Sequence, residues 1–351
     1  MVKKLNLNGR LIGPGEPPYF IAEIGSNHNG DMRLCKKLID SAKACGAEAV
    51  KFQSWSKSSL ISRAEYERNT EYADRKKHFG TLEEMVERYQ LTPEQHREIS
   101  TYCRAKRITF LSSCFSPEEA DLLESLNVPA FKIASMDINH LPLLEYVASK
   151  GRPIILSTGM ATLGEIDRAL TILQRGGAGT VALLHCVSIY PPAYEVINLR
   201  NILTLQQAFD VPVGFSDHTL GTAIPLAAIA CGACMIEKHF TLDKNMEGWD
   251  HAVSADPKEM ETIVREGEKV FLALGSSVRA VSEAEIEKRK KFRRCLVAKY
   301  AMKKGDKLRP EDIDFKRPGT GIHPDELIYV IGHSLARDIE ADHELERSDF
   351  V

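Results

Sequence analysis

Short apolar runs recur along this chain with a helix-length gap between them, and a charged or polar residue closes nearly every one. The runs are Tyr19 to Gly25, Ala49 to Gln53, Thr109 to Ser113, Ala130 to Ser135, Ile154 to Thr158, Val181 to Cys186, Val213 to Asp217 and Met235 to Phe240. Amphipathic stretches lie between them, such as the one spaced by Met32, Leu34, Leu38, Ile39 and Ala42. Eight continuous apolar strands, each followed by a helix, predict a parallel sheet closed into a (β/α)8 barrel of the TIM type. Parallel strands need crossover helices and are buried on both faces. In that architecture the chemistry sits at the C-terminal strand ends. Those ends carry Glu23, Lys51, Gln53, Ser113, Lys132, Ser135, Ser157, His185, Ser216, His218 and His239, a set too polar for a core.

The remaining segments add a lid and a second domain. The connection from about Ser54 to Ile108 is too long for a plain crossover, and its aperiodic, charged and aromatic first half, Lys57 to Gly80, predicts loop or short helices over the barrel mouth. Ser116-Pro117-Glu118-Glu119 has the composition of a helix start. The N-terminal MVKKLNLNGR leads into a polar loop. After the helix Pro257 to Leu274, the charged run Glu283 to Arg294 reads as a linker helix, and short alternating strands with turns follow from Leu296. The expected organisation is a barrel over 1–280, a linker over 281–294 and a small β-rich domain over 295–351.

Composition narrows the class of function. A net charge of −3 over 351 residues supplies no global field for nucleic acid or an anionic membrane. No 18-residue apolar run and no signal peptide are evident, so a cytoplasmic location is expected. Eight cysteines lie mostly in apolar patterns and read as free, packed thiols; Cys231 and Cys234 form a lone C-x-x-C with no second pair for zinc.

Chemistry is read from the strand ends. Lys51 and Lys132 would project two cations into one mouth, ringed by the hydroxyls of Ser113, Ser135, Ser157 and Ser216. Point charges with short donors suit a phosphate or phosphoenolpyruvate. His218 and His239 close adjacent strands and suit a divalent ion that also takes oxygen ligands. His28, His185 and His251 are lesser candidates. Glu23, in a glycine-rich turn, would face two lysines and stay ionised unless it handles a proton.

Seven motifs in collinear order carry a resemblance. They are Glu23-Ile-Gly-Ser-Asn-His-Asn-Gly30, Val50-Lys-Phe-Gln53, Phe131-Lys-Ile-Ala-Ser135, Leu156-Ser-Thr-Gly-Met160, His185-Cys-Val-Ser-Ile-Tyr-Pro191, Gly214-Phe-Ser-Asp-His-Thr219 and Ile236-Glu-Lys-His-Phe240. With Lys316-Arg-Pro-Gly-Thr-Gly321 in the tail, the chain resembles the sialic acid (N-acetylneuraminate) synthase family with its C-terminal SAF, or antifreeze-like, domain. The resemblance implies condensation of phosphoenolpyruvate with an open-chain N-acetylated amino sugar. It assigns Glu23 acid–base work, Lys51 and Lys132 the phosphoenolpyruvate, and His218 and His239 a metal, Mn2+ before Mg2+ or Co2+. It places Asn27 to Gly30 and Tyr190-Pro191 around the sugar and gives Asp250 a sugar hydroxyl. It also implies a homodimer with swapped SAF domains, Arg317 reaching the partner's sugar pocket. Gln53, Asp137 and Ser188 complete the expected substrate contacts. Asp137 replaces a family Glu, Ser188 an Asn or Thr, and Cys114 a Pro, so the sugar identity is the open half of the assignment.

The reading is a nonulosonic acid synthase with N-acetylmannosamine ranked ahead of a 2,4-diacetamido-2,4,6-trideoxyhexose, the substrate of a legionaminic or pseudaminic acid synthase. An N-acetylneuraminate-9-phosphate synthase is a further alternative. Outside the family stand an octulosonate or heptulosonate phosphate synthase, which would want a basic cluster for the sugar phosphate, and an ice- or polysaccharide-binding protein, which would need no ionic ring.

Overall fold

In a computed structural model, which describes residues 2–69, 73–74, 77–78 and 80–351, the chain forms two compact units, Met1–Gly275 and Ser276–Val351. The first is built on eight parallel strands: β1 (Tyr19–Glu23), β2 (Ala49–Ser54), β3 (Thr109–Cys114), β4 (Phe131–Ile133), β5 (Ile154–Ser157), β6 (Val181–Cys186), β7 (Val213–Asp217) and β8 (Met235–His239). Each strand pairs with the next in sequence, and β8 pairs with β1 to close the barrel. The apolar runs read from the sequence coincide with these strands to within a few residues.

Because side chains alternate along a strand, each strand divides its residues between two cores. Val50 and Phe52, Leu183, Phe215 and Ile236 face outward and join Leu38, Ile39, Ile99, Leu123 and Ile263 of the surrounding helices. Ile21, Ala49, Leu111, Ala130, Ile155, Ala182, Leu184 and Met235 face inward and fill the lower barrel. Leu5, Leu7 and Ile12 belong to this inner cluster. They come from a hairpin, Leu5–Leu7 paired antiparallel with Arg10–Ile12, so the N-terminus is an apolar plug rather than a polar loop.

The long β2–β3 connection is ordered into short helices at Lys57–Leu60 and Arg63–Arg68, then longer ones at Leu82–Tyr89 and Pro93–Lys106. Of the segment expected to act as a lid, 57–80, residues 70–79 lie outside the described residues apart from the backbone pairing of 73–74 with 77–78. Trp55, Tyr66, Leu82, Met85, Val86, Tyr89 and Phe115 form a separate apolar cluster, against which Leu60, Ile61 and Trp249 pack.

The second unit carries the charged helix Glu283–Phe292 and an antiparallel strand pair, Cys295–Ala298 with Ile313–Lys316. Leu296, Ala298, Met302, Leu308, Ile313, Ile322, Leu335, Ile339 and Leu345 make its core. The buried Asp349 carboxylate accepts from Arg337 Nε at 2.7 Å and lies 3.0 Å from His343 Nε2, which anchors the chain end. All eight cysteines are free thiols. No helix among the described residues is long and apolar enough to cross a membrane.

Candidate active site

The alternation that fills the lower barrel with hydrocarbon places a polar layer directly above it. One pleat further along the same inward faces stand Glu23 above Ile21, Lys51 above Ala49, Ser113 above Leu111, Lys132 above Ala130, Ser157 above Ile155 and Cys186 above Leu184. Register then sets neighbours: Glu23 pairs with Lys51, His239 with Glu23, and Ser216 with Glu237. These side chains open into a cavity of about 590 Å3 at the C-terminal end of the barrel.

Four buried charges occupy its floor. Lys51 Nζ lies 2.8 Å from Glu23 Oε2 and 3.8 Å from Glu237 Oε1, and donates to Ser113 Oγ at 3.3 Å. Gln53 Nε2 donates to Glu23 Oε1 at 2.7 Å. Lys132 Nζ donates to Ser157 Oγ at 2.6 Å, and Ser216 Oγ donates to Glu237 Oε1 at 3.1 Å. Burial pushes the Glu23 carboxyl up to about 7 against the pull of Lys51, with Glu237 adding to the rise. Glu237 is held below the usual carboxylate range, because Lys132 and Lys51 outweigh its burial. Lys132 is lowered by burial, whereas Lys51 is raised, its two glutamates overcoming the same penalty. The arrangement is thus two cations, one firm anion and one carboxyl poised to carry a proton.

The imidazoles of His218 and His239 lie on one edge with ring centroids 5.5 Å apart. His218 Nδ1 is 3.0 Å from the Val187 carbonyl, which makes Nδ1 the protonated nitrogen and leaves the Nε2 lone pair available. His239 is kept neutral, its pKa held well below the usual value by burial and then by His218 and Lys51; its buried Nδ1 has no hydrogen-bond partner and lies 3.6 Å from Asp250 Oδ2. An orphaned neutral imidazole nitrogen beside a second imidazole and a carboxylate fits a divalent ion. Among the described residues no three His, Cys, Asp or Glu side chains form a cage, so such an ion would keep positions for oxygen ligands. Tyr190 covers the pair, its ring 4.0 Å from that of His218.

Gly159 shapes the wall between strands five and six. Its amide donates to Ser135 Oγ at 3.0 Å, and a Cβ there would stand 2.3 Å from Ser188 Oγ. Any larger residue would displace Ser188, a pocket residue.

Of the residues singled out from sequence, Glu23, Lys51, Gln53, Ser113, Lys132, Ser135, Ser157, Ser188, Tyr190, Ser216, His218, His239 and Asp250 all line this cavity. Asp137 does not. The 3-10 turn Ser135–Asp137 turns Ser135 and Met136 toward the cavity and leaves the Asp137 carboxyl off its wall, half-buried, where burial pushes it up to about 6. Arg317 belongs to the second unit, its guanidinium 5.2 Å from the Phe292 ring centroid. The lesser histidines are structural. His185 faces outward and bonds the Ile197 carbonyl at 2.7 Å, His251 bonds Thr241 Oγ1 at 2.6 Å, and His28 is buried with its pKa pushed down to about 4. Asn27 reaches away from the cavity to the Phe240 carbonyl, at 2.9 Å.

Several lining residues were not expected. Glu237 and Cys186 share the inward parity of His239 and Leu184, so strand alternation alone marks them. Trp55, Leu60, Ile61, Phe115 and Trp249 form an apolar wall from loops that have no period to read.

The comparisons decide the family. A model of the NeuB family matches residues 38–279, and one of the SAF domain matches 293–351. The chain belongs to the NeuB family. An uncharacterised protein of Methanocaldococcus jannaschii is 43% identical over 97% of both chains. The N,N'-diacetyllegionaminic acid synthase of Campylobacter jejuni is 42% identical, over 92% of this chain and 97% of that protein. Among solved structures, an N-acetylneuraminic acid (sialic acid) synthetase from Leptospira borgpetersenii has a TM-score of 0.73 at 34% identity, covering 82% of this chain and 95% of that one. This NeuB-family chain is therefore a relative of synthases that make nonulosonic acids.

The Glu23 shift makes a prediction with a definite sign. A carboxyl raised from its ordinary 4.5 to about 7 binds its proton more tightly in the folded chain. Its stabilising contribution is therefore full below about 4.5 and is lost as pH rises through about 7. Melting temperatures of the wild type and Glu23→Gln, compared between pH 5 and pH 8, should show the wild type losing ground to the variant. Parallel curves would contradict the shift.

Proposed function

We propose that this protein condenses phosphoenolpyruvate with the open-chain aldehyde of an N-acetylated amino sugar, releasing phosphate and forming a nonulosonic acid. The observation that carries this reading is the buried floor of the cavity, where two lysines and four serine hydroxyls share one water-poor layer with a carboxyl that can hold a proton. Lys51 and Lys132 would hold the carboxylate and phosphate of phosphoenolpyruvate, with Ser113, Ser135, Ser157 and Ser216 as further donors. C3 of phosphoenolpyruvate bonds to the aldehyde carbon as the C2–C3 double bond opens, and the aldehyde oxygen takes the proton of the Glu23 carboxyl. Water then adds to C2 and returns a proton to Glu23, and the tetrahedral intermediate breaks its C2–O bond to phosphate, the C2 hydroxyl proton leaving with it. A divalent ion on His218 and His239, Mn2+ before Mg2+ or Co2+, would supply Lewis-acid polarisation of the aldehyde oxygen.

For the sugar, the geometry favours a 2,4-diacetamido-2,4,6-trideoxyhexose over N-acetylmannosamine, reversing the order expected from sequence. The wall of Trp55, Leu60, Ile61, Phe115 and Trp249 suits a deoxy carbon and a second N-acetyl methyl better than hydroxyls. The resemblance to the Campylobacter enzyme points the same way. Among the described residues, the lysines lining the cavity are those of its floor and no arginine of the same unit lines it, which disfavours a 6-phosphate. The same lining among the described residues weighs against an octulosonate or heptulosonate phosphate synthase.

The working unit is proposed to be a homodimer in which the tail of one chain completes the other's site. Met136, Met160, Leu163, Ile189, Tyr194 and Leu220 are all exposed in the connections that follow strands β4 to β7, an apolar rim on the face that bears the cavity. Synthesis in the cytoplasm fits soluble substrates of this kind.

Phosphate release should be measured with phosphoenolpyruvate and each of N-acetylmannosamine, its 6-phosphate and the diacetamido trideoxyhexoses. Turnover is expected with a diacetamido sugar at a kcat/KM at least tenfold above the others, lost on chelation and restored by Mn2+. No release with any of them would overturn the reading, and full turnover of metal-free enzyme would remove the ion from it. For the dimer, two inactive variants, Glu23→Gln and Arg317→Ala, should regain activity after subunit exchange. Proven exchange without recovery would refute the shared site.

A further inference from the structure

The apolar wall contains an unpaired polar atom that the proposed chemistry does not use. Trp55 lines the cavity, yet its indole Nε1 is buried and has no hydrogen-bond partner among the described residues. A buried donor left unpaired costs about 1–3 kcal/mol, so a fold that keeps one beside a ligand cavity implies an acceptor supplied from elsewhere. The ring itself is firmly placed, packed edge-on against Phe115 and Trp249 at centroid distances of 6.2 and 6.0 Å. Leu60 and Ile61 continue the same wall.

Behind the wall stands Glu119, which the sequence presents only as a residue of a helix start. Its carboxylate accepts from the Ser56 amide at 3.0 Å and from the Ser59 hydroxyl, both on the turn after Trp55. It also accepts from the Phe115 amide at 2.7 Å. One carboxylate therefore ties the end of β2 to the end of β3 and fixes Trp55 against Phe115. Substituting Gln would set an amide N–H2 against at least one of these three donors.

A donor N–H flanked by aromatic and aliphatic surface matches an acetamido group, which offers a carbonyl oxygen and a methyl a few ångströms apart. We infer that Trp55 selects the sugar by donating its indole N–H to the carbonyl of an acetamido substituent whose methyl packs on Phe115, Leu60 and Ile61, with Glu119 as the positioning residue. This deepens the sugar-synthase reading and rests on it.

Two measurements test it. The chain has only two tryptophans, so 15N-indole labelling of the full-length protein gives two signals, assigned with Trp249→Phe. Adding the diacetamido sugar should move the Trp55 N–H downfield, and an unmoved signal at saturating sugar overturns the inference. In kinetics, Trp55→Phe keeps the ring surface and removes the donor. It should lower kcat/KM for the diacetamido sugar by roughly tenfold while the KM for phosphoenolpyruvate stays within twofold. Glu119→Gln should likewise raise the sugar KM without moving that for phosphoenolpyruvate. Unchanged sugar preference in Trp55→Phe refutes the role of Trp55, and equal loss for both substrates in Glu119→Gln makes Glu119 merely structural. Absence of turnover by the wild type would instead sink the underlying function, a separate outcome.

Discussion

Everything in the first unit is arranged around a change of dielectric inside the barrel. Below one level its interior is hydrocarbon, closed at the bottom by Leu5, Leu7 and Ile12; one pleat higher it holds Glu23, Lys51, Lys132 and Glu237. Removing four charges from water is costly, and mutual pairing only partly offsets that cost. The penalty persists in the fold because barrel register forces these positions together, Glu23 beside Lys51 and Ser216 beside Glu237. Such a layer gains most when an anion with several oxygens arrives to share the cations, which is why we place phosphoenolpyruvate there.

The same period-two logic explains what could be read from the chain. Strand ends were legible because eight apolar runs terminate in polar residues, and the inward members of those ends are the ones that reach the cavity. His185 was misleading for the same reason: it sits one residue off the inward set, and its ring is spent on the Ile197 carbonyl. Glu237 was present in a quoted motif, and counting back two from His239 would have found it. Asp137 stands beyond its strand, in a turn where alternation no longer fixes direction. The N-terminal hairpin was missed because its three-residue strands are too short to show a pattern.

The apolar wall lies outside that logic altogether. Trp55, Leu60 and Ile61 come from the long connection after β2, and Trp249 from the loop after β8. Their convergence depends on tertiary ties such as the carboxylate of Glu119, which joins residues separated by about sixty positions. Conserving the ionic floor while varying these loops would let one barrel serve several sugars, which is how enzymes of one fold diversify. Under the proposed function, the phosphoenolpyruvate half would be written in the strands and the sugar half in the loops.

The central claim is that the ionic floor is a phosphoenolpyruvate site, and calorimetric titration of phosphoenolpyruvate in the absence of sugar tests it most directly. The wild type should bind one equivalent per chain. Lys132→Met, which keeps an unbranched side chain one atom shorter but leaves Glu237 with one cation fewer, should weaken binding by roughly thirtyfold or more. Binding of undiminished strength by Lys132→Met would contradict the account.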